Sequence, residues 1–173
     1  MQKYNISVRV LHWVVGVAVL CIIAVGFVMT NYLQPPLKYD VYATHKAVGF
    51  TVLVLILFRF FLRIFTSVPP MPKELSVLER FASRFVHFAL YVLVFLTAFS
   101  GYVMSSAGGR IISWFGIFDV LPSFMEKNKQ LAQAAHSAHG FLPYLLLAFA
   151  LLHILATLKH VFFDKVNILR RIW

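Results

Sequence analysis

Charge is what this 173-residue sequence has least of. Asp, Glu, Lys and Arg together make 13% of it, and only six residues are acidic; a soluble domain carries about 25% charged residues. With 61% hydrophobic residues and a mean hydropathy of +0.82, water is not the main solvent of this chain. A single cysteine, Cys21, excludes an internal disulfide. Repeat arrays and low-complexity tracts are also missing. The net charge of +10 would suit nucleic acid if the basic residues formed a polar face. They stand instead at the ends of apolar runs, as in a protein seated against anionic lipid head groups. The expected partner is membrane lipid, and nucleic acid is not.

What the sequence does have is four long apolar stretches, about 8–30, 42–65, 81–104 and 138–163. Each reaches the roughly 20 residues that a helix needs to cross a hydrocarbon core about 30 Å thick. The first is longer than the apolar run of a signal peptide and lacks a small-residue cleavage site, so it reads as a retained helix. The expected fold is an all-α membrane protein, a four-transmembrane-helix bundle forming a single domain over 1–173. Prolines break the first two connections (Pro35-Pro36, then Pro69-Pro70 and Pro72), and the third, from Ser105 to about Ser137, is the longest. Within it, Ile111 to Phe115 suits the membrane interface, where Trp is favoured, and Lys127 to Ala135 suits a helical extension of the fourth span. Eleven of the sixteen Lys and Arg residues fall on the side that holds both termini and the second connection. The other side has five: Lys38, Lys46, Arg110, Lys127 and Lys129. The positive-inside rule then puts both termini in the cytoplasm. The oligomeric state is not set by these features, and a homodimer is left open.

Seven histidines occur, and five lie in apolar spans: His12, His45, His87, His139 and His153. Ionisable side chains there are costly and face the bundle interior. His139 and His153 are fourteen residues apart. That spacing leaves them only about 40° out of line on a helix and about 21 Å apart along it. One face of the fourth helix therefore presents an imidazole near each membrane surface. His136 points elsewhere. Because successive helices run in opposite directions, His12 shares the inner depth with His153 and His87, whereas His45 shares the outer depth with His139. Two axial pairs follow, His12–His153 inside and His45–His139 outside, and axial histidine is one of the few ways in which a protein holds haem iron.

The fourteen-residue step recurs. Gly26 follows His12 and Gly101 follows His87 at that spacing, while Gly16 and Gly49 follow His12 and His45 by four residues. Glycines there leave room for a flat macrocycle or for close helix packing. Arg59 lies fourteen residues after His45, at the depth of the inner pair, with Arg63 one turn beyond; both can meet haem propionates or lipid head groups. Cys21 falls roughly on the face opposite His12 and is not a ligand candidate.

These residues carry a resemblance. Val10-Leu11-His12-Trp13, Thr44-His45-Lys46-x-x-Gly49, Arg59-x-x-x-Arg63 and Val86-His87-x-x-x-Tyr91 occur in that order. His139, His153, His160-x-Phe162-x-Asp164 and Asn167-x-Leu169-Arg170-Arg171 follow. Over nearly its whole length the chain resembles the bacterial cytochrome b561 family, which is related to the cytochrome b subunits of membrane hydrogenases and formate dehydrogenases. The resemblance implies two haems b in a multi-pass protein of the bacterial inner membrane. It places the axial ligands, which are the metal-binding residues, at His12, His45, His139 and His153. His87 also matches a family position, without an axial role, and suits a propionate contact or a quinone pocket. Within the third connection only the stretch from Gly109 to Val120 is family-like.

The resemblance further implies quinone as the lipid-soluble substrate and a periplasmic electron donor, and some members are described as superoxide:quinone oxidoreductases. Quinone chemistry needs a proton-transferring group near the inner haem. His160 is seven residues after His153, on the same face and about 10.5 Å nearer the cytoplasm; with Lys159 or Arg63 it is the candidate catalytic residue of an inner quinone site. Two other roles stay open: a haem b anchor and electron conduit of a larger dehydrogenase complex, and a transporter that uses intramembrane histidine for protons.

Overall fold

A computed structural model describes residues 2–120 and 126–173 of the chain. Residues 121–125, inside the third connection, lie outside the described part. Four helices are long and apolar enough to cross a membrane: α1 (Ile6–Asn31), α2 (Leu37–Phe65), α3 (Val77–Ala107) and α4 (Lys129–Phe162). Their starts are set by side chains that accept from otherwise unpaired backbone N–H groups. Asn5 caps α1 through the Ser7 N–H, and Asn128 caps α4 through the Leu131 N–H. Ser76 and Glu79 form a reciprocal capping box on α3. The α4 helix begins well before its apolar stretch, as the composition of Lys127 to Ala135 suggests. It continues through Pro143.

The third connection holds a feature that the all-helical reading does not anticipate. Strands β1 (Ile112–Trp114) and β2 (Phe118–Val120) pair antiparallel, with Ser113 opposite Asp119. The chain reverses through Phe115 and Gly116, both at positive φ (50° and 76°), closed by the Ile117 N–H donating to the Trp114 carbonyl at 3.0 Å. The hairpin lies on the N-terminal end of α2; that end of the bundle is called outer, and the end holding both termini inner, after the expected orientation. Trp114 Nε1 donates to Thr51 Oγ1 at 2.9 Å, and Lys46 Nζ donates to the Ile111 carbonyl at 2.9 Å.

The helices pack in sequence order around the bundle: α1 on α2, α2 on α3, and most extensively α3 on α4; α4 meets α1 only sparsely. Much apolar surface faces outward, including Val14, Val17, Phe58, Phe88 and Leu155, as expected where lipid is the solvent. The buried core is a small cluster of Val15, Val19, Val52, Ile56, Leu93, Val94 and Leu146. Leu146 is seven residues from both His139 and His153, so this plug sits midway between the two histidine levels.

Both termini meet at one end of the bundle. The Tyr4 N–H donates to the Arg171 carbonyl at 3.0 Å, and Trp13 Nε1 donates to the Ile172 carbonyl at 3.0 Å. The buried Arg171 guanidinium, at the end of a short 3-10 turn (Ile168–Arg171), donates to the carbonyls of Pro69 and Pro70 at 2.6 and 3.0 Å. One side chain thus ties the C-terminus to the second connection.

Candidate functional site

Each of the four paired histidines comes from a span whose register points it inward. His12 lies in the second turn of α1, His45 in the third turn of α2, and α4 contributes both His139 and His153. The ring centres of His12 and His153 are 6.1 Å apart, and those of His45 and His139 are 6.2 Å apart. The rings meet edge-on, at 70° and 83°, rather than stacking. Metal–imidazole bonds of about 2.0–2.1 Å put the ring centres of two axial ligands roughly 6 Å apart. Both pairs have that separation.

The outer pair is seated on glycine. A Cβ at Gly26 would stand 3.3 Å from His45 Cε1, and one at Gly101 would stand 2.8 Å from His139 Cε1. Behind each imidazole is therefore a glycine of a neighbouring helix, and at Gly101 any side chain would displace the ring. His139 Nδ1 is 2.9 Å from the Thr97 carbonyl and 3.3 Å from Ser100 Oγ. A carbonyl only accepts, so Nδ1 carries the proton and Nε2 keeps its lone pair, the state a metal ligand requires. His45 Nδ1 is buried with no hydrogen-bond partner. A buried orphan nitrogen is costly unless something else engages the ring.

The inner pair is surrounded differently. Arg59 donates to the Val8 carbonyl at 2.6 Å and stands 3.3 Å from His12 Nδ1. Its guanidinium also lies 5.7 Å from the Tyr91 ring centre. His87 joins the group, with its ring centre 5.0 Å from that of His153. Arg63 turns to Tyr4, bonding its hydroxyl at 3.4 Å and lying 4.6 Å from its ring centre.

The glycines divide into three kinds. Gly26 and Gly101 seat imidazoles, Gly49 meets Ile22 at an ordinary 3.6 Å and serves helix packing, and Gly16 faces open space within 4 Å. Of the four, Gly16 keeps the room that a flat ring system would need. The sparse contact between α1 and α4 leaves space beside the histidines, and imidazole pairs at this separation suit haem b. The protein residues fit that group.

His136 points away from both pairs, its Nδ1 3.2 Å from Met104 Sδ. His160 is buried at the inner end of α4, with Nδ1 2.6 Å from Asp164 Oδ2. Lys159 does not accompany it inward: the ammonium bridges Glu79 and Asp164 at 2.7 and 2.8 Å. Lys159, with His160 adding to it, holds the Asp164 carboxyl below the usual carboxylate range. Glu79, His160 and Asp164 converge closely enough to hold a metal ion, but the Lys159 ammonium already supplies the positive charge there. What sequence reasoning missed at the inner site is the approach of His87 to His153. Their shared depth was visible; the rotation of α3 against α4 was not.

The family described as prokaryotic cytochrome b561 matches residues 3–173. Cytochrome b561 homolog 2 of Escherichia coli (strain K12) is 30% identical over 172 residues, covering 98% of this chain and 90% of that protein.

Proposed function

Because the chain belongs to the prokaryotic cytochrome b561 family, a family of membrane electron-transfer proteins, we propose that it holds two haems b and carries electrons from a periplasmic donor to membrane quinone. The observation that carries the reading is the pair of imidazole couples, 6.1 and 6.2 Å between ring centres, sharing one helix. His12 and His153 would hold the inner group, and His45 and His139 the outer one. Bound haem supplies a one-electron change at iron.

The remaining work belongs to the chain. The Thr97 carbonyl keeps the proton of His139 on Nδ1. Arg59, at the inner end, offers positive charge to a propionate or to an electron arriving there. The plug around Leu146 excludes water between the two levels, so charge crosses without a proton leak. At the inner end His160, hydrogen-bonded to Asp164, can exchange a proton between the cytoplasmic side and a reduced quinone. The excess of Lys and Arg beside the termini supports a cytoplasmic position for that end. Lys38, Lys46 and Arg110 on the other side favour an anionic donor.

The test is a reduced-minus-oxidised spectrum of the purified protein with haem quantitation. Two haems per chain are expected, falling to one in His45→Ala or His139→Ala. No haem, or a single haem unaffected by either substitution, would refute the reading. Reduction of a soluble quinone by the purified chain, using only a small-molecule donor, separates a free-standing oxidoreductase from a subunit of a larger complex. His160→Ala should slow that reduction while both haems remain.

A further inference from the structure

The inner end of the bundle holds positive charge that electron transfer does not use. Two guanidiniums lie against one aromatic ring. Arg63, in the last turn of α2, is 4.6 Å from the Tyr4 ring centre, and Arg171, in the C-terminal 3-10 turn, is 5.3 Å from it. Both distances are those of a cation–π contact, so one ring keeps two like charges close together. Among the described residues neither guanidinium forms an ion pair; the paired carboxylates, Glu79 and Asp164, go to Lys159 and His160.

The two cations are committed to different degrees. Arg171 is buried, and its Nη2 donates to the carbonyls of Pro69 and Pro70 at 2.6 and 3.0 Å. Those carbonyls satisfy its hydrogens without cancelling its charge. Arg63 is half-buried, and its hydrogen bond, among the described residues, is a long one of 3.4 Å from Nη2 to the Tyr4 hydroxyl. A guanidinium has five N–H donors, so most of this fork is open. The Tyr4 N–H donates to the Arg171 carbonyl at 3.0 Å, which fixes the ring that both cations share. Beside the fork the surface is apolar: Ile64 and Phe65 follow Arg63, Ile6 follows Tyr4 by two residues, and all three are strongly exposed. A free anion gains nothing from such neighbours, whereas acyl chains can lie on them.

From this arrangement we propose that Tyr4, Arg63 and Arg171 form a site for the phosphate of an anionic phospholipid. Arg63 makes the contact, because its planar fork matches two phosphate oxygens. Arg171, buried against the same ring, adds positive potential. A head group of net negative charge is preferred to a zwitterionic one, because a choline ammonium would bring a third positive charge to the same place. The site concerns lipid alone and does not depend on the haem reading.

The test is native mass spectrometry of the purified full chain in mild detergent, titrated with phosphatidylglycerol, phosphatidylcholine or inorganic phosphate. Wild type is compared with Arg63→Gln and with Arg84→Gln. Arg84 is exposed on α3 towards the same end, and its substitution makes the same change in net charge. Wild type is expected to retain phosphatidylglycerol in preference to phosphatidylcholine, and inorganic phosphate should not displace it. Arg63→Gln should weaken phosphatidylglycerol by at least about tenfold, while Arg84→Gln stays near wild type. Haem content, read in the same spectra, should be alike in all three. Equal losses in the two variants would reduce the effect to general surface charge and overturn the proposal, as would equal retention of the two lipids. Displacement by inorganic phosphate would make the ligand a soluble anion and refute the lipid assignment. Haem loss in Arg63→Gln with lipid retention unchanged would give the guanidinium to a haem propionate instead, and the proposal would fail. Should Arg63→Gln not fold, as judged by its helical circular dichroism, Arg63→Met removes the charge at similar length and decides by the same comparison.

Discussion

The two ends of the bundle present the same motif in unlike settings. In each, one imidazole of α4 stands about 6 Å from an imidazole of an earlier helix. At the outer end the pair is neutral and tightly held, with glycine behind both rings and a backbone carbonyl fixing one proton. At the inner end the pair shares its space with a half-buried guanidinium and a third imidazole. The repeat along α4 sets where the ligands stand; the neighbouring helices set what each site can do. The outer surroundings seat the rings on glycine, whereas the inner surroundings add charge and a third imidazole.

The sharpest way to break this contrast is at the glycines. At Gly101 a methyl group would come within 2.8 Å of His139 Cε1, so ring or helix must move; at Gly26 the corresponding distance is 3.3 Å. Overpacking a well-filled site costs about 1–3 kcal/mol, or about 5–150-fold in an equilibrium constant. Gly101→Ala is therefore expected to weaken outer-haem retention by at least about fivefold. Gly26→Ala should act in the same direction by less, and Gly16→Ala should leave the outer haem alone. Titration of the stripped protein with haem, reading each site by its spectrum, checks the order. Equal retention in Gly101→Ala and wild type would show that the imidazole is not seated there when haem is bound.

The next effect belongs to the inner end. A half-buried cation stabilises an added electron, so removing it lowers the inner potential. At an effective dielectric near 20 and a separation of about 8–16 Å, one charge is worth on the order of 1–2 kcal/mol, or roughly 40–90 mV for a one-electron couple. Arg59→Gln should lower one of the two midpoint potentials by about that much and leave the other within error. A redox titration that moved both equally would mean that the charge is felt across the apolar plug, and the distinction between the ends would weaken.

Much of this arrangement was legible in the residues. The fourteen-residue step from His139 to His153 and the antiparallel run of successive spans already put His12 with His153 and His45 with His139 at common depths. Periodicity along one helix is a local property, and these pairings need little else. The hairpin was not legible. Each of its strands has three residues, too few for an alternating pattern, and its turn places Phe115 at a positive φ that an aromatic residue does not advertise. The closeness of His87 to His153 depends on how α3 is rotated against α4. That rotation comes from packing between two apolar faces with little pattern of their own. Glycine roles were legible only as a group: that Gly26 and Gly101 back imidazoles while Gly49 packs against Ile22 is a matter of ångströms between helices.

The smallest effect is expected at the knot where α3 and α4 end on the inner side. Lys159 bridges Glu79 and Asp164, and Asp164 also meets His160, a polar clasp far from the glycine-backed outer pair. The Asp164 carboxyl is held below its ordinary range. A depressed carboxyl stabilises the fold fully above its unfolded pKa of about 3.9 and loses that contribution as pH falls through the folded value. The difference in thermal midpoint between wild type and Asp164→Asn should therefore be small, unchanged between pH 7 and pH 5, and reduced only below the ordinary carboxylate range. Because exposed ion pairs are screened by salt, it should also shrink at high ionic strength. If the difference instead grows between pH 7 and pH 5, Lys159 is not the carboxylate's principal partner, and the clasp is not the simple ion pair that the geometry describes.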